Sequence, residues 1–263
     1  MLGGAGRTDR RDAEGDSVAD IVAIGGGGFR FDGRWSPQPS ALTRYALRLT
    51  GRDDPRVSSL HTAVGDAPER ILNWYNAFAG TPVRADHLAL YPMPNHDDVR
   101  AHLLSQDAIF VNGGSTVNLL ALWNAHGLVP ILREAWESGV VLWGVSAGML
   151  CWFDSGVTDS FSPRLDPFTG GLGLLPGSAC PHYDEESERR PVYTGLVASG
   201  ALPAGVAADG GAGLHFRGTE LHQVVAQREG ASGWRVTPDG TGGVVETNLP
   251  AILLDADGTA ASR

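Results

Sequence analysis

The sequence contains no lysine; all 20 of its basic residues are arginine. That absence removes a Walker phosphate loop, a Schiff-base amine and a Ser–Lys dyad from the available chemistries. Only two cysteines are present, Cys151 and Cys180. They make neither a disulfide framework nor a four-cysteine zinc site, and their apolar or mixed surroundings point to buried thiols in a reducing cytoplasm. No stretch approaches 18 consecutive apolar residues, so no membrane span is expected. The formal net charge is -10, and no arginine cluster offsets it. Nucleic acid and anionic membrane are therefore not expected as partners. There is no His-Glu-x-x-His motif and no clustered histidine pair, so no metal is expected. The Gly25–Gly28 run lacks the spaced glycines of a dinucleotide loop, so no nucleotide cofactor is implied.

What is present is an alternation of elements. Asp20–Ile24 is a short apolar run that feeds the Gly25–Gly28 loop. Val57–Val64, His87–Tyr91, Asp107–Asn112 and Val140–Val145 are further strand candidates. Between them, helical spacing covers 41–50, 67–78, 97–104, 116–125 and 128–137, with Asp66 as the expected cap of the second. Continuous apolar strands need cover on both faces. The expected fold class is therefore α/β: a three-layer αβα arrangement around a mainly parallel sheet, with antiparallel strands from the shorter alternating segments after residue 200. Residues 1–19, rich in glycine and charge, are expected to be a disordered tail and not a signal peptide. Residues 20–263 are expected to form a single catalytic domain, with no linker that splits them.

The sharpest chemical feature is Gly144-Val145-Ser146-Ala147-Gly148, between an apolar strand and an apolar stretch, Met149–Phe153. Strand–turn–helix is the context of a nucleophile elbow, in which small neighbours let strand and helix approach while the serine projects into a cleft. Asn112-Gly113-Gly114-Ser115-Thr116 also ends a strand and opens a helix. Loops at the carboxyl ends of neighbouring parallel strands converge on one crevice. Gly114 and Ala147 can thus offer amide protons to an oxyanion, while Ser115 caps the helix. Of eight histidines, His182 stands out, because it follows a strand candidate at a proline-fixed turn. An acid must orient its imidazole. Asp184, Glu185, Glu186, Asp159 and Asp209 are all candidates, and Asp209 also lies at a strand end.

Ile109–Thr116, Trp143–Gly148, Thr158-Asp159 and Cys180–Tyr183 occur in the order and approximate spacing of the dipeptidase E (aspartyl dipeptidase) and cyanophycinase family of serine peptidases. The sequence resembles that family over roughly residues 20–228. The resemblance implies a fold like the class I glutamine amidotransferases. It implies Ser146 as nucleophile, His182 as general base, and Gly114 and Ala147 as the oxyanion hole. Asp159 is then near the substrate, Arg189 or Arg190 holds a substrate carboxylate, and the protein is a homodimer. The family's triad acid aligns with Gly210. Asp209, one residue earlier, is assigned the role, with Asp184 or a Ser–His dyad as alternatives. The expected activity is cytoplasmic hydrolysis of dipeptides or short peptides, including those with N-terminal Asp, without a cofactor. Two other readings remain open. One is a non-catalytic amidotransferase-like binding protein that has lost its acid. The other is an α/β-hydrolase-type esterase that uses His222. Trp35, Trp74 and Trp152 are candidates for a self-association surface.

Overall fold

The computed structural model describes residues 19–27, 29–30 and 37–261. The tail expected over 1–19 lies outside this set up to residue 18, as does Trp35.

Two sheets carry the fold. The larger has eight strands, in the spatial order Ala251–Leu253, Glu220–Ala226, Ala212–Arg217, Asp20–Ile24, Val141–Val145, Ala108–Val111, Arg56–Leu60 and Arg84–Leu88. The last five run parallel to one another, while Ala212–Arg217 pairs antiparallel with Asp20–Ile24. The continuous apolar runs have a direct explanation. Side chains alternate across a strand, and each face of this sheet has its own core. Ile21, Ala23, Ile109, Val111 and Leu142 enter one buried cluster; Val22, Ile24, Ala108, Phe110, Val141 and Trp143 enter the other. Helices Ala41–Arg48 and Pro68–Phe78 cover the second cluster through Leu42, Ala46, Trp74 and Phe78. Helices Thr116–Ala125 and Leu128–Glu137 cover the first through Leu119, Trp123, Leu128 and Leu132.

The later chain does not simply extend this sheet, as the sequence led one to expect. A separate six-stranded sheet has the order Val244–Leu249, Gly233–Pro238, Gly205–Ala208, Leu175–Cys180, Phe153–Thr158 and Asp166–Thr169. Its central three strands are parallel. One of its faces joins the first cluster through Phe153, Leu175, Ala179 and Val206. Helix Arg189–Ala198 covers the other through Tyr193 and Val197.

Local boundaries shift for identifiable reasons. The strand expected over 57–64 stops at Leu60, and Thr62–Val64 forms a tight 3₁₀ turn that ends on Gly65 at φ 66°. Asp66 is not the cap of the next helix. It sits at φ 51°, and its Oδ2 accepts from the amides of Leu90 and Tyr91, at 2.6 and 2.9 Å, tying two loops together. Only Ala147–Leu150 is helical after Ser146, because Phe153 already begins the second sheet. Trp74 and Trp152 are buried, at 2% and 0% exposure, so neither forms a surface for self-association.

Candidate active site

The strands Asp20–Ile24, Val141–Val145 and Ala108–Val111 are neighbours and parallel, so their carboxyl-terminal loops meet. Ser146 sits between them at φ 58°, ψ -111°. A non-glycine residue held there stores strain of about 1–3 kcal/mol, which the surrounding structure must enforce. The Ser146 amide donates to the Ile24 carbonyl at 3.0 Å, and the Ser146 carbonyl accepts from Met149 and Leu150, both at 2.9 Å. The flanking glycines are obligatory. A Cβ on Gly144 would lie 2.3 Å from the Gly148 carbonyl oxygen, and one on Gly148 would lie 2.1 Å from that of Val111. Helix, elbow and neighbouring strand are thus in backbone contact.

Of the expected oxyanion donors, Ala147 follows the serine directly and Gly114 lines the same cavity as Ser146. Gly114 is at φ 139°, and a Cβ there would meet the Ala63 carbonyl oxygen at 2.4 Å. Among the described residues, neither the Gly114 nor the Ala147 amide donates to a protein acceptor. Gly113 is different: its amide is taken by Asn112 Oδ1 at 2.9 Å. Ser115 caps its helix by accepting from Asn118.

His182 comes from the second sheet and also holds a positive φ, 54°. Its amide donates to the Gly25 carbonyl at 3.2 Å, so Ser146 and His182 are pinned to consecutive carbonyls of one loop. Its Nδ1 lies 2.9 Å from Glu185 Oε2. The Glu185 carboxylate is seated between two glycines. A Cβ on Gly26 would be 2.8 Å from Oε2, and a Cβ on Gly210 would be 1.9 Å from Glu185 Cδ.

The carboxylate that meets His182 is therefore not the one expected. Asp209 does not reach His182. It is buried, and its oxygens accept from the Ser232 amide at 2.9 Å and from Trp234 Nε1 at 3.0 Å. Burial raises its pKa above the ordinary carboxylate value. Asp184 accepts from the Gly210 amide at 2.8 Å and pairs with Arg228, so it holds the loop that borders Glu185. Glu185 was one of five acids compatible with the sequence.

The predicted substrate arginines are committed elsewhere. Arg189 is 3% exposed and bonds Glu186 at 2.6 Å and the Val157 carbonyl at 3.3 Å, with Asp159 3.8 Å away. Asp159 is thus an ion-pair partner of Arg189, and neither residue lines the cavity beside Ser146. Arg190 makes a two-pronged contact with Glu246 and lies 4.6 Å over the Trp234 ring. His222, the esterase candidate, packs on His215 in a strand three places from the one that carries Ser146.

The cavity that contains Ser146 has a volume of about 360 Å³ and is lined by Gly113, Gly114, His61, Arg70, Trp74 and Phe110, among others. Sequence reasoning missed Arg70 and His61. The signal for Arg70 was its i,i+4 relation to Trp74, which places both on one helix face. His61 receives Asn112 Nδ2 on its Nδ1 at 3.1 Å and faces Ser59 Oγ through Nε2 at 3.0 Å. Burial pushes its pKa down to about 4, so the ring is neutral at pH 7. Gly27 also borders a second, more polar cavity of about 580 Å³, lined by Glu185, Gly210, Arg44 and Arg228. The two cysteines are free and buried, and among the described residues no helix is long and apolar enough to cross a membrane.

Known proteins resemble this chain in sequence and in fold. Residues 21–224 match the model of peptidase family S51. An uncharacterized peptidase, YgaJ, of Bacillus subtilis (strain 168) is 45% identical over 219 residues, covering 83% of this chain and 92% of that protein. A peptidase E of Shewanella amazonensis is 38% identical over 92 residues, 34% of this chain and 39% of that one. In three dimensions, a peptidase from an acI-B1 Actinobacterium superposes with a TM-score of 0.61 at 18% identity, covering 89% and 95% of the two chains; that likeness speaks for the fold. The chain belongs to peptidase family S51 and is a serine-type peptidase with the class I glutamine amidotransferase-like fold.

Proposed function

We propose that this protein hydrolyses dipeptides or short peptides through a Ser146–His182–Glu185 triad. The observation that carries the reading is the convergence on one glycine loop of a strained serine and of a histidine already oriented by a carboxylate. Because Glu185 engages Nδ1, Nε2 is the nitrogen that exchanges a proton with Ser146. Ser146 Oγ attacks the peptide carbonyl carbon as its proton passes to His182. The oxyanion is held by the amides of Gly114 and Ala147. His182 then gives the proton to the leaving amine as the C–N bond breaks. A water, deprotonated by the same nitrogen, hydrolyses the acyl-enzyme.

The residue before the scissile bond occupies the Ser146 cavity, with its side chain between Trp74 and Arg70. An N-terminal Asp or Glu fits this arrangement. Arg70 is an exposed guanidinium with no ion pair among the described residues, and the apolar walls strengthen its attraction for a carboxylate. Arg44, in the adjoining cavity, is the cation suited to the carboxylate of the leaving residue. The buried free thiols support a reducing, cytoplasmic setting. The test is a panel of Asp-X, Glu-X and neutral dipeptides incubated with the protein and with Ser146→Ala, with free amino acids read by mass spectrometry, alongside labelling by a fluorophosphonate. Cleavage and labelling that both vanish in Ser146→Ala support the triad. Labelling without cleavage of any member refutes the dipeptide assignment, and absence of both returns the protein to the binding-module reading.

A further inference from the structure

Away from the catalytic loops, the edge strand Arg84–Leu88 and helix Val99–Leu104 bring together groups that are distant in sequence. The rings of His96 and His102 stack with centroids 3.6 Å apart and planes 20° from parallel. Both face one carboxylate: His96 Nε2 is 4.0 Å from Asp86 Oδ1, and His102 Nδ1 is 3.9 Å from Asp86 Oδ2. One nitrogen of each ring and one oxygen of Asp86 all lie within 4.8 Å of one another. No clustered histidine pair was expected from the sequence, because the two are six residues apart and meet only when the chain turns into the helix.

We propose that Asp86, His96 and His102 form a binding site for a first-row transition-metal dication such as Zn²⁺. Two imidazoles and a carboxylate are the donor set that such ions favour, whereas Ca²⁺ and Mg²⁺ prefer all-oxygen sites. One outer contact of a metal site is already in place. His102 Nε2 is held by Ser58 Oγ at 2.9 Å, which leaves Nδ1 towards Asp86. Anchoring one ring nitrogen fixes the tautomer and directs the lone pair of the other, as at established zinc sites. His96 Nε2, the nitrogen beside Asp86, lies 3.0 Å from the His87 carbonyl, and to ligate an ion it must give up that contact as its ring turns out of the stack. His102 is nearly buried, at 7% exposure of its side chain. Zinc with ligands at about 2.0–2.2 Å needs donor separations near 3.3 Å, so the two carboxylate–imidazole pairs, at 4.0 and 3.9 Å, must each close by roughly 0.6–0.7 Å, and the two ring nitrogens must converge with them. Asp86 and His96 are part-exposed, at 44% and 25%, which gives an ion a path in and leaves room for water as a further ligand. His87 is not part of the set: its Nδ1 faces Tyr75 Oη at 2.8 Å, and its Nε2 faces the Asn95 amide.

The proposal is tested by calorimetric titration of the chelator-treated full chain with Zn²⁺ alone. The expected result is one saturable equivalent and a rise in Tm with zinc. The affinity should fall at least tenfold in His96→Ala and in Asp86→Asn, both checked for an unchanged circular dichroism spectrum without metal. His182→Ala controls for zinc captured by the His182–Glu185 pair and should keep the equivalent. Absence of saturable binding overturns the site. So does binding that survives His96→Ala and disappears in His182→Ala. None of these readouts depends on peptidase activity.

Discussion

Gly210→Ala should disable the enzyme by evicting Glu185. The added Cβ would lie 1.9 Å from Glu185 Cδ, 2.1 Å from Oε1 and 2.4 Å from Oε2. The obstructed atoms are the end of a half-exposed side chain, so the carboxylate can swing into solvent and leave the backbone where it is. What is lost is the 2.9 Å contact with His182 Nδ1. Hydrogen bonds to charged groups are worth about 1.5–3 kcal/mol, and each 1.36 kcal/mol is a factor of ten in rate. The expected fall in kcat is therefore roughly 10- to 150-fold, and KM should shift as well, since both residues line the adjoining cavity proposed for the leaving residue. Glu185→Gln should fall by a similar factor. The double variant should be no worse than either single one, because both remove the same contact. The assay is steady-state turnover of the best dipeptide in the panel, with Tm and circular dichroism as controls. Full activity in a folded Gly210→Ala would refute the reasoning, as would additive losses in the double variant.

Gly148→Ala should be much more destructive, because its Cβ would meet the Val111 carbonyl oxygen at 2.1 Å, and backbone cannot rotate away. Thermal and urea unfolding should show a loss of about 2–4 kcal/mol or failure to fold. Arg70→Leu should raise KM for Asp-X at least tenfold and leave neutral dipeptides unaffected, whereas Arg190→Ala, whose guanidinium is held by Glu246, should change neither. Stability should fall as pH drops from 6.5 towards 4. His61 is held neutral in the folded protein with its pKa down at about 4, so the unfolded chain binds the extra proton in that window, at a cost of up to roughly 3 kcal/mol. Because His102 is depressed to about 4 as well, urea midpoints measured across this range should keep part of their slope in His61→Gln, and an unchanged slope would rule His61 out as a titrating group.

The sequence alone determined the parts of this protein that local chemistry governs. The elbow around Ser146 was legible because Gly144 and Gly148 must lack side chains where strand, turn and helix touch. The helices Thr116–Ala125 and Leu128–Glu137 stand where the spacing put them. The parallel sheet followed from apolar runs that only a doubly covered strand can satisfy. His182 was singled out by its strand-end turn. Which acid would meet its ring was not legible, since three consecutive acids follow Tyr183 and another closes a later strand. The positive φ of His182 brings Glu185 onto its ring, while Ser232 and Trp234 hold Asp209 back. The resemblance gave Arg189 or Arg190 a substrate carboxylate, yet Arg189 is buried among Glu186, Asp159 and the Val157 carbonyl. The division into two sheets and the meeting of Asp86, His96 and His102 were equally hidden, because each depends on contacts between segments that only packing brings together.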